Sequence, residues 1–409
     1  MDETIQGSVT LSQSHQFSLK TLVSALRGAF RIVGKPRLAT CFRLALLAWL
    51  WIWVTGWAFS FAGKINWVGG HPEMGPSAYQ AQGPLQRLPG LMQKFDGQIY
   101  VAIADEGYLH PPELAFFPGW PWLLRLGGRG LGLHGHAQME PLASLFNLIL
   151  LTLAVWFWSR LLFQCTLSAA REPRWIWLLL FFPTSVFFAS GYAEAAFLAA
   201  SGACLFFALN RRAWELAFCL MIFVLIKHVA ILCGAGLLFW LLLYRPRLLF
   251  WAVPAYLIGL SIIFLISYRE TGDFLYWAKV QASWGRHFGW PGALLSDLHG
   301  KAVDLALYVP FIFLVPFWLA LNYWRARNLP GAEVTLLFLI FCSAIFIPVC
   351  FGSSVESLYR VVLIAPPAYA GVGAWIFRQK PRFRIGLWGC LLLLNLHATY
   401  RFVSFLHLT

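Results

Sequence analysis

The chain has 409 residues, of which 59% are hydrophobic and only 12% charged, with a mean hydropathy of +0.67; soluble domains carry about 25% charged residues. That composition excludes an ordinary water-soluble domain and implies an all-α polytopic membrane protein. A net charge of +14 could suggest a nucleic-acid partner, but in so apolar a chain Lys and Arg mark cytoplasmic loop ends, and nucleic-acid binding is set aside.

The eight cysteines, Cys41, Cys165, Cys204, Cys219, Cys233, Cys342, Cys350 and Cys390, lie in or beside apolar runs with no CxxC pair and no Cys/His cluster at metal spacing. They read as small buried hydrophobes, with no disulfide framework or structural zinc. His134-Gly135-His136 is too isolated for a metal site, so no metal is called.

Taken in order, Met1 to Phe17 is polar and reads as disordered, and no cleavable leader is expected. Residues 18–43 carry Lys20, Arg27, Arg31, Lys35, Arg37 and Arg43 in a semi-amphipathic pattern expected on the cytoplasmic face. Apolar runs then predict spans at 44–61, 141–163, 175–190, 194–209, 214–227, 229–244, 248–267, 304–324, 333–350, 360–377 and 385–405. Eleven spans put the N-terminus inside and the C-terminus outside. The predicted organisation is a basic segment at 1–43, a transmembrane body at 44–377 with large external loops at 62–140 and 268–303, and a C-terminal helix in 378–409. The orientation rests on Lys and Arg, most of which fall in the short loops assigned to the cytoplasm, while most of the 17 acids fall outside.

Four of these spans are short: 14 to 16 residues reach roughly 21 to 24 Å, against a hydrocarbon thickness of about 30 Å. They are therefore read as two half-length pairs, with recessed tips at Gly191-Tyr192-Ala193-Glu194 and at Lys227-His228. Irregular backbone and charge at that depth require surrounding protein or a wet cavity, so a cavity opening to the outside is expected. No internal repeat is visible, which weighs against inverted-repeat transporters.

The first large loop concentrates polar chemistry. Residues 97–106 predict a short helix with Asp96 as its N-cap and Gly107 as the left-handed C-terminal residue. Helical spacing puts Asp96, Tyr100 and Ile103 on one face and points Asp105 away. The apolar piece Leu114 to Leu126, broken by Pro118 and Pro121, is expected to be interfacial rather than spanning. Asp105 and Glu113 read as solvated acids.

Asp96-Gly97-Gln98-Ile99-Tyr100, Gly107-Tyr108, then Ala115-Phe116-Phe117-Pro118 and Pro121, resemble the first-loop motif of the PIG-V family of mannosyltransferases. Phe182-Pro183-Thr184-Ser185 with Tyr192-Ala193-Glu194 resembles that family's next motif, and Thr271-Gly272-Asp273 with Trp284-Gly285-Arg286 is similar to a segment of its bacterial members. The resemblance covers roughly residues 45 to 370. Three positions depart from the family: its Trp before the aspartate is Phe95, its Tyr-Ser-Glu is Tyr192-Ala193-Glu194, and its Thr-Arg-x-x-Gly reads Lys227-His228-Val229-Ala230.

The resemblance implies a GT-C fold, a polyprenyl-phosphate-linked mannose donor, and an outward-facing site with an acid in the first external loop. Asp96 is then the candidate catalytic base. Lys227, His228, Arg286 and Arg360 are candidates for the donor phosphate, and Tyr100, Glu113, Tyr192 and Glu194 for the acceptor. No cofactor is called. The implied partners are the donor lipid, a lipid- or glycan-linked acceptor, membrane lipid and a small membrane subunit, in a bacterial inner or plasma membrane rather than the endoplasmic reticulum. Two other readings stay open: a lipid or sugar transporter or flippase, and a GT-C transferase for another sugar or a protein acceptor.

Overall fold

The computed structural model describes residues 36–62, 92, 94–165, 174–284, 302–350 and 358–404. Arg286, residues 1–35 of the basic N-terminal segment and parts of both large loops lie outside them. Fifteen helices follow in order among the described residues: α1 (Leu38–Ala62), α2 (Asp96–Asp105), α3 (Gly119–Gly130), α4 (His136–Gln164), α5 (Trp175–Leu180), α6 (Glu194–Leu209), α7 (Ala213–Val224), α8 (Val229–Tyr244), α9 (Leu249–Thr271), α10 (Tyr276–Lys279), α11 (Ala302–Ala326), α12 (Ala332–Cys350), α13 (Leu358–Leu363), α14 (Pro366–Arg378) and α15 (Pro381–Val403). No strand occurs among the described residues, and the all-helical class is as expected.

Among these, segments at Leu38–Ser60, Gln138–Gln164, Pro246–Thr271 and Ala332–Val349 are long and apolar enough to cross a membrane. Shorter apolar helices occupy Glu194–Leu209, Ala213–Val224, Val229–Tyr244 and Phe311–Ala326. Large apolar side chains stand exposed along the outer faces: Leu47, Leu50 and Val54 on α1, Phe239, Leu242 and Leu243 on α8, and Leu257, Ile258 and Leu265 on α9. Contiguous apolar surface of this kind suits hydrocarbon rather than water.

The middle of the bundle is built from α4 against α6, α6 against α7, and α7 against α9, with α1 against α4 and α15 against α1. Its core is aromatic. Trp158 packs against Phe338 and Phe341, and Phe197 against Phe223, with ring centroids 5.0 to 5.9 Å apart.

Two expected spans are broken. The one at 175–190 is a helix only to Leu180; it then becomes turns and a 3-10 segment at Ser185–Phe188. Pro183 explains the break, because it has no amide N–H to give and its ring disfavours helix in the residue before it. The span at 360–377 divides at Ile364-Ala365, ahead of Pro366-Pro367, which start α14 as first-turn prolines.

A broken segment inside an apolar bundle strands carbonyls that must find donors. Polar side chains from neighbouring helices supply them. Asn395 on α15 donates to Phe182 O at 2.8 Å, and Asn147 on α4 donates to Ser190 O and to Tyr192 O, the latter at 2.9 Å. Ser144 donates to Ala189 O, and Trp120 to Gly191 O at 2.8 Å. Asn395, Asn147 and Ser144 are fully buried. Together they fix the path of the chain into Glu194.

Among the cysteines whose side chains are described, five are buried as expected and two are not. Cys41, Cys165, Cys204, Cys233 and Cys342 are free and buried, Cys219 is half-buried, and Cys390 is exposed on α15.

Candidate active site

The first-loop helix α2 begins one residue earlier than predicted, and this changes the role of Asp96. Phe95 occupies the N-cap position with φ 50 and ψ −127, and makes no side-chain cap. The expectation that Asp96 is the N-cap is therefore corrected. The amides of Gly97 and Gln98 bond back to the carbonyls of Lys94 and Phe95, each at 3.0 Å, so the first turn is satisfied by backbone. The Asp96 carboxylate turns instead to Arg360. The Phe95 backbone lies in a region costly to non-glycine residues, on the order of 1–3 kcal/mol, and its ring packs on Phe402 of α15, 6.1 Å between centroids. The other end of α2 is as expected: Gly107 has φ +99 and its amide bonds to Ile103 O at 3.1 Å.

Four charged side chains meet here. Arg360 on α13 donates through Nη1 to Asp96 Oδ2 and through Nε to Glu194 Oε1 at 2.8 Å. Lys227 Nζ donates to the same Glu194 oxygen at 2.7 Å. Glu194, the first residue of α6, is fully buried, and the Lys227, Arg360 and Asp96 side chains are 8%, 9% and 17% exposed. Two anions and two cations so balance, which is what allows four charges to be withdrawn from water together. Arg360 also lies over the Tyr192 ring, 4.7 Å from its centroid, and 5.7 Å from that of Phe187. The faces of the rings attract the guanidinium and fix its plane. Glu194 Oε2 is buried without a hydrogen-bond partner among the described residues.

The two tips read from the short spans thus do come together through Glu194 and Lys227. Each tip thereby places its charged side chain against the other's, Lys227 Nζ on Glu194 Oε1. Arg360 is buried against both acids.

Of the other candidates, Tyr192 belongs to the cluster through Arg360. Tyr100 is buried with its ring edge-on to Phe116, 5.2 Å between centroids. His228 is half-buried beside Phe117, 6.5 Å between rings. Glu113 departs from the expected solvated acid: it is 4% exposed, and its Oε2 accepts the amides of Leu109 at 2.8 Å and His110 at 3.3 Å, closing the turn that starts the 3-10 segment Pro111–Ala115. An acid bonded to backbone amides in this way holds the loop. Arg286 lies outside the described residues.

Other polar groups are also buried in the described residues. Lys94, next but one to Asp96, is 2% exposed, and burial pulls its ammonium down to about 7 against the opposing charge of Glu140. Glu140, counted with the external acids, is 5% exposed. Asn147, Ser144 and Asn395, which set the path into Glu194, announce themselves only as amides and a hydroxyl inside apolar runs, a signal that normally marks buried function or structure in membranes. The judgement that His136 is isolated is also corrected. Its Nε2 lies 3.4 Å from Glu106 and 4.0 Å from Asp105, a part-exposed trio whose ligand atoms fall within 4.8 Å of one another, close enough to hold a metal ion. One oxygen of Asp105 is already taken by the Gly135 amide at 3.1 Å.

The Thr271-Gly272-Asp273 motif ends α9. Gly272 has φ +73 and donates to Tyr268 O at 2.7 Å, and Asp273 pairs with Lys279 at 2.5 Å.

Known proteins are similar to parts of this chain. Residues 76–245 match the family model described as mannosyltransferase (PIG-V). GPI alpha-1,6-mannosyltransferase 2 of Homo sapiens is 31% identical over 134 residues, 31% of this chain and 26% of the relative, and the Rattus norvegicus protein is 31% identical over 135 residues with the same coverage. The chain thus aligns with about a quarter of the length of these relatives. Among solved structures, ArnT from Cupriavidus metallidurans bound to undecaprenyl phosphate is similar over 86% of this chain and 62% of its own, with a TM-score of 0.49 and 18% identity. Archaeal oligosaccharyltransferase AglB from Archaeoglobus fulgidus is similar over 87% of this chain and 55% of its own, with a TM-score of 0.43 and 11% identity. The matched segment contains the first-loop motif, both helix tips and the Asp96, Glu194 and Lys227 members of the cluster, and over residues 76–245 the chain is similar to the PIG-V mannosyltransferase family.

Proposed function

We propose that the protein is a GT-C membrane glycosyltransferase that moves a mannosyl residue from a polyprenyl-phosphate-linked donor to the hydroxyl of a lipid- or glycan-linked acceptor on the extracytoplasmic side. The observation that carries this reading is the Asp96–Arg360–Glu194–Lys227 network, which joins the first-loop acid to cations at recessed helix ends. Transfer requires a base for the acceptor proton and positive charge for the departing phosphate, and the network holds both within one set of contacts.

Chemically, the acceptor oxygen attacks the anomeric carbon while its proton passes to Asp96. The bond from that carbon to the phosphate oxygen breaks, and the phosphate keeps the electron pair, held by Arg360 and Lys227. Arg360 is shared between Asp96 and this task. A phosphate that draws Arg360 toward itself loosens its contact with Asp96 and frees that carboxylate oxygen for the acceptor hydroxyl. Glu194 Oε2, buried and unpartnered among the described residues, is a ready acceptor for a substrate hydroxyl.

The test is Asp96→Asn in purified protein, with synthetic polyprenyl-phosphate-mannose and an alcohol acceptor. Loss of a positioned base lowers the rate about 10²- to 10⁴-fold, while Asp105→Asn, in the His136 trio, leaves it nearly unchanged. Full activity of a folded Asp96→Asn variant would remove Asp96 from the mechanism.

A further inference from the structure

Two adjacent residues at the start of α3 reach both helix tips. The Gly119 amide donates to Leu225 O at 2.7 Å, two residues before Lys227. The Trp120 indole donates to Gly191 O at 2.8 Å, three residues before Glu194, and Trp120 is fully buried. A Cβ on Gly119 would sit 2.8 Å from the Leu225 carbonyl carbon and oxygen, so only glycine lets the backbones approach this closely. Just ahead in sequence, Phe117 packs edge-on to His228 and to Trp277, with centroids 6.5 and 5.6 Å apart. Lys227 and Glu194 lie on different segments, so the 2.7 Å contact between them depends on how far apart the tips are held.

We propose that Gly119 and Trp120 are positioning residues: they brace the two tips against each other and so set the Glu194–Lys227 pair, and with it the cation side of the site. The inference rests on the transferase reading only for its catalytic consequence; the bracing itself is a statement about geometry. A small displacement of the pair misplaces the phosphate ligand, and misplacement by about 1 Å can cost about 10²-fold in rate. The effect is expected in donor KM and in turnover together, since the pair holds the phosphate both on arrival and on departure.

Trp120→Phe removes the indole N–H and keeps the aromatic bulk. Trp240→Phe is the matched control, because Trp240 is equally buried and donates to Glu333 O at 2.8 Å on α12, in a different part of the bundle. The first measurement uses no substrate: the coupling between Glu194→Gln and Lys227→Met is read from shifts in Tm in three backgrounds, unaltered, Trp120→Phe and Trp240→Phe. Bracing predicts that the coupling falls by half or more in Trp120→Phe and stays intact in Trp240→Phe. Equal coupling in all three overturns the inference whatever the activity. The second measurement is transfer from polyprenyl-phosphate-mannose, where Trp120→Phe should lose about 10- to 100-fold in kcat/KM and Trp240→Phe should change little. Lost coupling with unchanged transfer would leave the brace standing and overturn the active-site reading. If Trp120→Phe does not fold, Gly119→Ala keeps the indole and perturbs the Leu225 side alone, with the same loss of coupling expected and unchanged coupling refuting the brace.

Discussion

The sharpest consequence of the charge network lies in its balance, and Glu194→Gln tests it. The carboxylate is fully buried and one of its oxygens accepts from both Lys227 at 2.7 Å and Arg360 at 2.8 Å. Glutamine keeps the size and removes the charge, leaving two buried cations facing only Asp96. Removing one partner from a buried ion pair costs about 3–5 kcal/mol, and Arg360, which keeps Asp96, places this case toward the lower end. Lys227→Met alone reverses the imbalance, with two carboxylates now sharing Arg360, and should cost a similar amount. The double variant restores neutrality, since the Asp96–Arg360 pair remains. It should therefore lose less than the two single variants together, by about 1–3 kcal/mol, the range found for residues in direct contact. Unfolding of the purified protein in mixed micelles of mild detergent and SDS, followed by tryptophan fluorescence, gives the three stabilities. Additivity within about 0.5 kcal/mol would refute the reasoning, because it would mean that the two side chains do not feel each other in the folded protein.

Arg360→Lys preserves charge but not the fork that spans Asp96 and Glu194, so transfer should fall about 10-fold or more while the protein still folds; an unimpaired rate in the mannose-transfer assay would show that the bridging geometry is dispensable. Asn147→Leu removes the donor to Ser190 O and Tyr192 O in an apolar setting, with an expected loss of about 1–3 kcal/mol. Unchanged micellar unfolding would mean that those carbonyls find other donors.

The membrane class, the helical content and most helix limits were legible from composition and apolar run length: the predicted spans at 194–209 and 229–244 match α6 and α8 at both ends. Short spans pointed to recessed tips, because a helix of that length cannot cross the hydrocarbon alone. Glu194 and Lys227 were visible as charges at the tips of spans too short to cross, whereas Asp96 and Arg360 became site candidates through the resemblance. Their mutual pairing was not visible, since Arg360 lies 264 residues from Asp96 and 166 from Glu194, and no local periodicity carries information over such separations. The same limit accounts for the misreading of Asp96, while that of Glu113 is one of local turn chemistry. Asp96 before a helix fits a cap by local rule, yet the backbone supplied the cap and a distant guanidinium took the carboxylate. Glu113 in a polar loop reads as solvated, yet two amides nearby claim it. Residue order is enough to say which segments are apolar enough to be helices in a membrane and which charges need a reason to be there. That those charges neutralise one another emerges only from the folded arrangement, because burying an ion is tolerable only when its partner is buried with it, and the partner is chosen by packing.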